Sequence, residues 1–486
     1  MRNVRSVCRA CGLVVAAGLA ACVNLAPEHV RPAAPLAAQW PGAAGSAPDA
    51  SLSSAAADLD WRSFVTDPRL RDTIDRALQN NRDLRVAALN IERARAQYRI
   101  QRAALLPEVG AGAVIVRQRN PASTSTNGAV STTTRYGVDL GLAAYELDLF
   151  GRVRNLGEAA LQSFFAVQEN RRSTQISLVA EVATVWLTVA ADTDRLQLAR
   201  ETLLSQQSSY QLTRRARELG GASGLTLAQA QTTVDSARVD VARFGSLLAQ
   251  GRNALVLLVG AELPDVLLPR PTLAEASASS ASLLVDVPPG LPAEVLQRRP
   301  DVLAAERLLW AANADIGAAR AALFPRISLT ASAGTQSRSL GSLFGSGSLA
   351  WGLSPRIDLP IFDAGRRRAD VQFTEAQQAI SVANYEKTLQ VAFREVADAL
   401  VERETLAEQI AAQQSLTEAT RRVYTLSEAV FKNGASGYLE VLDAQRSMYA
   451  AMQEAITLRL MEQSNRVALY RALGGGWDRV TGSGGP

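Results

Sequence analysis

Few residues in this chain are of types that do chemistry, and where they stand limits what they can do. There are three cysteines, Cys8, Cys11 and Cys22, and one histidine, His29, all close to the N-terminus. No nucleophile elbow, zinc-ligand spacing or phosphate-binding glycine loop follows them, so no catalytic residue, metal site or cofactor is expected. A lone histidine in a polar, proline-rich stretch is expected to be solvated rather than a ligand. The other notable pair is Glu440 and Asp443, three residues apart and therefore on one helix face, just beyond the turn Gly434-Ala435-Ser436-Gly437. Two acids at a helix start either answer the positive end of the helix dipole or serve a function, and their spacing alone favours neither reading. Carboxylates by themselves can hydrolyse glycosides. The long helical patterns around this pair offer no obvious cleft for a sugar chain.

The cysteines belong to a leader. Arg2, Arg5 and Arg9 precede an apolar run from Leu13 to Leu19, too short to cross a membrane and followed by small residues, which is the layout of a secretory signal. The run ends Leu19-Ala20-Ala21-Cys22, which resembles the lipobox of bacterial lipoproteins, where cleavage leaves the cysteine as the acylated N-terminus. Residues 1–21 are thus expected to be a signal peptide and Cys22 the lipidation site. Cys8 and Cys11 would leave with the signal, so no disulfide is expected. Proline, alanine, glycine and serine dominate from Val23 to about Asp58, which predicts a lipidated, extended tether over residues 22–60. The formal charge of +4 and pI near 9.1 suggest nucleic acid at first sight. Loss of the three leader arginines leaves about +1, too near neutral for a phosphate footprint, so no nucleic-acid partner is expected.

Beyond the tether the chain is doubled. Asp83–Pro107 aligns without a gap on Asp301–Pro325, with Ala87, Ala94, Ala96, Arg102, Ala103, Ala104, Leu105 and Pro107 repeated as Ala305, Ala312, Ala314, Arg320, Ala321, Ala322, Leu323 and Pro325. Asp148-Leu149 and Gly151-Arg152 return as Asp358-Leu359 and Gly365-Arg366 after a short insertion, and Gly221-Ala222-Ser223-Gly224 returns as Gly434-Ala435-Ser436-Gly437. This sets a first repeat at 61–263, a linker at 264–291, a second repeat at 292–474 and a flexible tail at 475–486. Each repeat reads as a helix, two strands and two very long helices joined by the glycine turn. In the second, Ile327, Leu329, Ala331 and Ala333 alternate with small or polar residues, as do Leu349, Trp351, Leu353, Ile357 and Leu359. From Arg366 to Phe431 the period lengthens, with Val382, Tyr385, Leu389, Ala392, Val396, Ala399, Leu406 and Ile410 on a three-four spacing interrupted at Arg403. The corresponding first-repeat elements are strands Val109–Arg119 and Arg135–Leu149 and a helix Arg152–Arg217.

Alternating strands of about ten residues, edged by Tyr136, Tyr145, Phe344 and Trp351 and joined by serine, threonine and glycine-rich loops, predict a transmembrane barrel. Four strands cannot close one. Open edges in lipid would strand backbone polar groups, so several chains must share a barrel.

The residues carrying the closest resemblance are Tyr145-Glu146-Leu147-Asp148-Leu149-Phe150-Gly151-Arg152, Pro300-Asp301-Val302, Ala322-Leu323-Phe324-Pro325 and Gly437-Tyr438-Leu439-Glu440-Val441-Leu442-Asp443-Ala444-Gln445-Arg446. With the doubled layout they resemble the TolC-like outer-membrane efflux family, in its OprM and NodT lipoprotein branch. The resemblance implies a mainly α protein with a membrane β-barrel. Four strands per chain would contribute to a trimeric twelve-stranded barrel continued by a periplasmic α-helical tunnel. It implies the outer-membrane exit duct of a multidrug efflux pump, not an enzyme. The implied partners are two further copies in a homotrimer, a periplasmic adaptor (membrane fusion) protein, an inner-membrane resistance-nodulation-division transporter and outer-membrane lipid. A duct for type I protein secretion shares this architecture and stays open as the alternative. On this resemblance Glu440 and Asp443 hold the positions of the pore-constricting carboxylates. The turns Gly221-Ala222-Ser223-Gly224 and Gly434-Ala435-Ser436-Gly437 become adaptor-docking tips, beside their plain role in reversing a helix. TolC latches its closed tip with a tyrosine and an arginine near this turn, where this chain has Phe431 and Ser436.

Overall fold

The computed structural model describes residues 24–35, 40, 60–124, 128–271, 283–285, 293–435 and 437–475. Its elements run α1 (Trp61–Phe64), α2 (Pro68–Asn80), α3 (Arg82–Ala103), β1 (Val109–Asn120), β2 (Ser131–Leu147), α4 (Arg152–Glu218), α5 (Gly224–Val259), α6 (Pro300–Ala321), β3 (Arg326–Ser337), β4 (Leu349–Asp358), α7 (Arg366–Lys432) and α8 (Tyr438–Ala472). From α3 onward the order of one half repeats in the other. The chain divides into two compact units, one of Met1–Ala33, Asn90–Gln168 and Ala304–Tyr385, the other of Ala34–Leu89, Glu169–Leu303 and Glu386–Pro486.

The first unit holds a four-stranded antiparallel meander in the order β1-β2-β3-β4. Directly paired residues share a sheet face, so the register reveals what each face carries. One row runs Ala113, Val138 and Thr335, with Leu349 beyond; the next runs Ala111, Leu140, Ala333 and Trp351, and below it stand Val109, Leu142, Ala331 and Leu353. The opposite face carries Gly112, Asp139, Gly334 and Ala350 in one row and Gly110, Gly141, Ser332 and Gly352 in the next. Across these rows one face is apolar and the other small or polar, the pattern of a barrel wall between lipid and a lumen. A bulge lies between Leu142 and Tyr145, with Ala144 at φ 49° and its N–H donating to Thr330 Oγ1 at 3.1 Å. The extra residue keeps Tyr145 and Leu147 on the apolar face after the ladder shifts. Strand β2 also begins earlier than the apolar alternation suggests. Ser131–Thr134 pair with Arg117–Asn120, because threonine suits a pleated surface even where nothing apolar marks it.

The N-terminal stretch at 24–35 has no regular secondary structure, but it is tied to the rest of its unit. The His29 ring stacks on Trp310 at 4.8 Å and 5°, and its Nδ1 lies 3.3 Å from Asn313 Nδ2. Arg31 donates twice to Glu306, at 2.7 and 2.6 Å. Ala26 passes so close to Gly317 that a Cβ there would meet its Cα at 2.8 Å. The expectation of a solvated His29 is therefore corrected: both rings are half-buried, and a planar ring beside an indole gains more by stacking than by staying in water.

The second unit holds most of the two helical hairpins, whose long helices begin in the first. At 1.5 Å per residue the 67-residue helices α4 and α7 are each about 100 Å long. The returning helices α5 and α8 are shorter, with 36 and 35 residues. They stop at residues of positive φ, Gly260 at 71° directly and Gly474 at 94° just past Leu473. The short helices take over there. Asn81, buried at the head of α3, accepts from the Leu84 N–H at 2.9 Å and donates to the Leu258 carbonyl at the end of α5 at 2.8 Å. Arg299, at the equivalent place in the second repeat, donates to the Ala472 carbonyl at the end of α8 at 2.6 Å. The same guanidinium binds Asp301 at 2.8 and 3.0 Å and Glu395 at 3.0 Å. Burial disfavours its charge, but the two carboxylates outweigh that and hold its pKa above the ordinary arginine value. One open carbonyl at the end of α5 and one at the end of α8 are thus satisfied by the residues just before α3 and α6. Along α7, Tyr385, Leu389, Ala392, Val396, Ala399 and Leu406 are buried, as their spacing predicts.

Candidate pore constriction and helical tips

The hairpin reversals show why glycine stands where it does. The α4 helix ends on Gly220 at φ 81°, where the Gly221 N–H returns to the Ala216 carbonyl at 2.7 Å. The α7 helix ends on Gly434 at φ 76°, where the Ala435 N–H returns to Val430 at 3.1 Å. Both are left-handed C-terminal caps, and the following hairpin helix must start within a few residues. In the first turn Ser223 does this, its Oγ accepting the Thr226 N–H at 3.0 Å. In the second, Gly437 holds the N-cap position and contributes no side chain. Gly221, Ala222, Ser223, Gly224, Gly434, Ala435 and Gly437 form the two tips, while Ser436 and the lipidation candidate Cys22 lie outside the described residues.

The opening turns of α8 sort their residues by face. Tyr438, Val441, Leu442, Ala444 and Gln445 are buried. Glu440 and Asp443 point the other way, both exposed, and neither carboxylate has a hydrogen-bond or ion-pair partner among the described residues. The structure therefore presents the two acids together on one open helix face. Behind them Tyr438, Val441 and Leu442 pack on Ala230 of α5, with Tyr210, Tyr424 and Phe431 against the same cluster. The Phe431 and Tyr438 rings are 5.4 Å apart at 50°. Sequence reading singled out Phe431 as a departure from the TolC latch but missed this cluster. The aromatics come from three helices, and only their common nearness to the two turns hinted at a meeting.

Further along α8 the polar ties continue. Gln445 donates to Ser205 at 3.3 Å, and Thr233 of α5 donates to Gln206 of α4 at 2.7 Å. The Tyr449 hydroxyl donates to Asp240 at 3.1 Å, and burial together with the Asp240 charge pushes its pKa up to about 12. The contacts of Gln445 and Tyr449 hold the acid-bearing stretch of α8 in a fixed rotation, so the direction in which Glu440 and Asp443 face is set by packing. A single exposed helix face has no chemistry of its own beyond attracting cations. Its effect depends on what stands across from it.

The chain as a whole is similar to known proteins. The family model described as outer membrane efflux protein matches residues 73–261 and 291–475. The chain is 47% identical over 470 residues to the probable efflux pump outer membrane protein TtgC of Pseudomonas putida, covering 97% of this chain and 96% of that one. It is 45% identical over 466 residues to outer membrane protein OprJ of Pseudomonas aeruginosa, covering 96% and 95%. Among solved structures it superposes on a membrane protein from Pseudomonas aeruginosa with a TM-score of 0.87 and 43% identity, over 94% of this chain and 98% of that one. On the open state of the MtrE outer membrane channel of Neisseria gonorrhoeae the TM-score is 0.82 and the identity 37%, over 94% and 99%.

Proposed function

The chain belongs to the outer membrane efflux protein family, and from that premise we propose how it works as the outer-membrane exit duct of a tripartite efflux pump. The observation that carries the reading is the sheet, four strands with one apolar face and one small, polar face. In a membrane, β1 and β4 need partners for their outer edges, and other copies of the chain supply them. We assign a homotrimer, with twelve strands around one axis and the long hairpins continued below as a periplasmic tunnel. Three copies of α8 would bring Glu440 and Asp443 together as two stacked carboxylate rings, the narrow and cation-attracting point of the path. The two glycine tips are the surface we assign to a periplasmic adaptor, and energy comes from an inner-membrane transporter of the resistance-nodulation-division type. Cys22 carries the lipid. The cargo we assign is the class named for the relatives, antibiotics and organic solvents such as toluene. The duct itself does no chemical work on it.

The test is reconstitution of the full protein into planar bilayers. Discrete channel openings, with a reversal potential in a salt gradient that marks cation preference, are expected. Protein that inserts as a defined oligomer but never conducts would overturn the duct, and protein that does not insert would overturn the barrel.

A further inference from the structure

The doubled chain contains one complete junction between its two repeats and half of another at each outer side. The complete one lies in the first unit, where the end of the β1–β2 hairpin meets the start of β3. There Phe150 stacks on Phe324 at 4.8 Å and 20°. Just above, Glu146 binds two arginines, Arg152 through both oxygens at 2.8 and 2.7 Å and Arg326 at 2.8 Å. The parts therefore are an aromatic residue and charges from the end of one repeat's strand hairpin, and an apolar residue and a charge from the beginning of the other's.

The repeat alignment identifies the counterparts of each part. Phe324 and Arg326 correspond to Leu106 and Glu108, which start the first repeat's strands; Glu146 and Arg152 correspond to Arg356 and Arg366, and Phe150 to Phe362 across the short insertion. These counterparts do not meet within the chain. Phe362 is 89% exposed and Leu106 is 72% exposed, and Ile361 beside Phe362 is 93% exposed. The charges have changed sign in step. Inside the chain the acid sits on the hairpin end (Glu146) and an arginine on the strand start (Arg326). At the outer sides the arginine sits on the hairpin end (Arg356) and the acid on the strand start (Glu108). One acid between two arginines is kept in both sets, which a solvated surface would have no reason to preserve.

We propose that Phe362, Arg356 and Arg366 of one copy receive Leu106 and Glu108 of the next, repeating between chains the junction that Phe150, Glu146 and Arg152 make with Phe324 and Arg326 within one. The occupant of the exposed apolar corner is thus a second copy, in a head-to-tail contact that joins unlike surfaces and so can close into a ring. Arg356, held only at the exposed surface by Asp358 at 2.9 Å, gains a second acid. The inference rests on the oligomeric duct proposed above, and it adds which side chains join the copies.

The test is made on the full protein in mild detergent. Phe362→Cys with Leu106→Cys in one chain is expected to give oxidised dimers and a covalent trimer, while either single variant gives no such ladder. Co-expressed single variants carrying different tags should cross-link only one to the other. In a second arm, Glu108→Arg is expected to lower the temperature at which the assembly dissociates, and Arg356→Glu added to it should restore most of that loss, which a folding defect would not do. An intact assembly with no disulfide and no restoration overturns the proposal and leaves the oligomeric duct standing. Labelling of Phe362→Cys by a lipid-phase reagent in that case would assign the corner to the membrane instead. A folded monomer by native mass spectrometry overturns both.

Discussion

Glu440 and Asp443 share a face by their spacing, and where that face points is set by the buried side of α8, where Tyr438, Val441 and Leu442 fix the helix rotation. The double variant Glu440→Gln with Asp443→Asn keeps side-chain size and removes the charge. We expect the reconstituted channel to lose most of its cation preference and its block by multivalent cations, with little change in assembly stability. An unchanged reversal potential would leave the acids as favourable residues at a helix start and nothing more. Asp67 illustrates the opposite case, an acid whose role is wholly structural. It caps α2 by accepting the Arg69 and Leu70 N–H groups at 2.7 and 3.2 Å and pairs with the Arg69 side chain at 2.8 Å. Burial would raise its pKa, but the Arg69 contact and the two backbone donors outweigh that, and the folded pKa lies below the ordinary value. Its contribution is therefore full above the unfolded carboxylate pKa of about 4 and is lost as pH falls through the lower folded value. Asp67→Asn should melt earlier than wild type at pH 7, by the equivalent of roughly 1 kcal/mol, and the gap should close in acid. A gap that does not narrow between pH 5 and 3 would show that charge is not what the cap supplies.

The elements are joined by a few side chains that act at helix ends or between strands. Arg299 ties the end of α8 to the start of α6 through the Ala472 carbonyl, Asp301 and Glu395. Arg299→Ala leaves a buried carbonyl and two carboxylates without their donor, and we expect a loss on the order of 3 kcal/mol in urea unfolding of the detergent-solubilised protein. Arg299→Lys should recover only part, since one ammonium cannot reach all three acceptors in that fork. Equal stability of the alanine variant and wild type would mean that water replaces the guanidinium. In the sheet, Gly334 faces the neighbouring strand so closely that a Cβ would stand 2.1 Å from the Val138 carbonyl oxygen and 2.5 Å from Asp139 Cα. At Gly352 the nearest atom is Ser332 Oγ at 3.7 Å. Gly334→Ala should thus block assembly into membranes while Gly352→Ala is tolerated, measured as the yield of heat-modifiable, membrane-inserted protein. Equal yields would mean that β2 and β3 can separate without cost.

For the whole molecule the question is what retains it in the membrane. A single acyl chain binds a bilayer only marginally, whereas a shared barrel buries an apolar band. Cys22→Ser should abolish incorporation of labelled fatty acid, yet most of the protein should still fractionate with the outer membrane as an assembled oligomer. Absence of label on the wild-type chain in a processing-competent host would remove the lipid anchor from the account. Release of the variant to the periplasm would mean that the sheet alone does not hold it.

Local pattern was enough for much of this protein. Strand alternation, the three-four helical spacing and the self-similarity of 83–107 and 301–325 are properties of neighbouring residues, so the order of elements, the doubling, the glycine reversals and the shared face of Glu440 and Asp443 were all legible in the chain. The tertiary structure decided what depends on residues far apart. Nothing in the segment around His29 announces Trp310, because a stacking partner leaves no periodic trace. The bulge at Ala144 follows from the β2–β3 register, which no single strand contains. Asn81 and Arg299 bind the ends of the returning helices, and each of those residues lies more than 170 positions from the carbonyl it satisfies. The facing of the two acids was a matter of spacing; the aromatic packing behind them, which fixes where that face points, was a matter of three helices meeting.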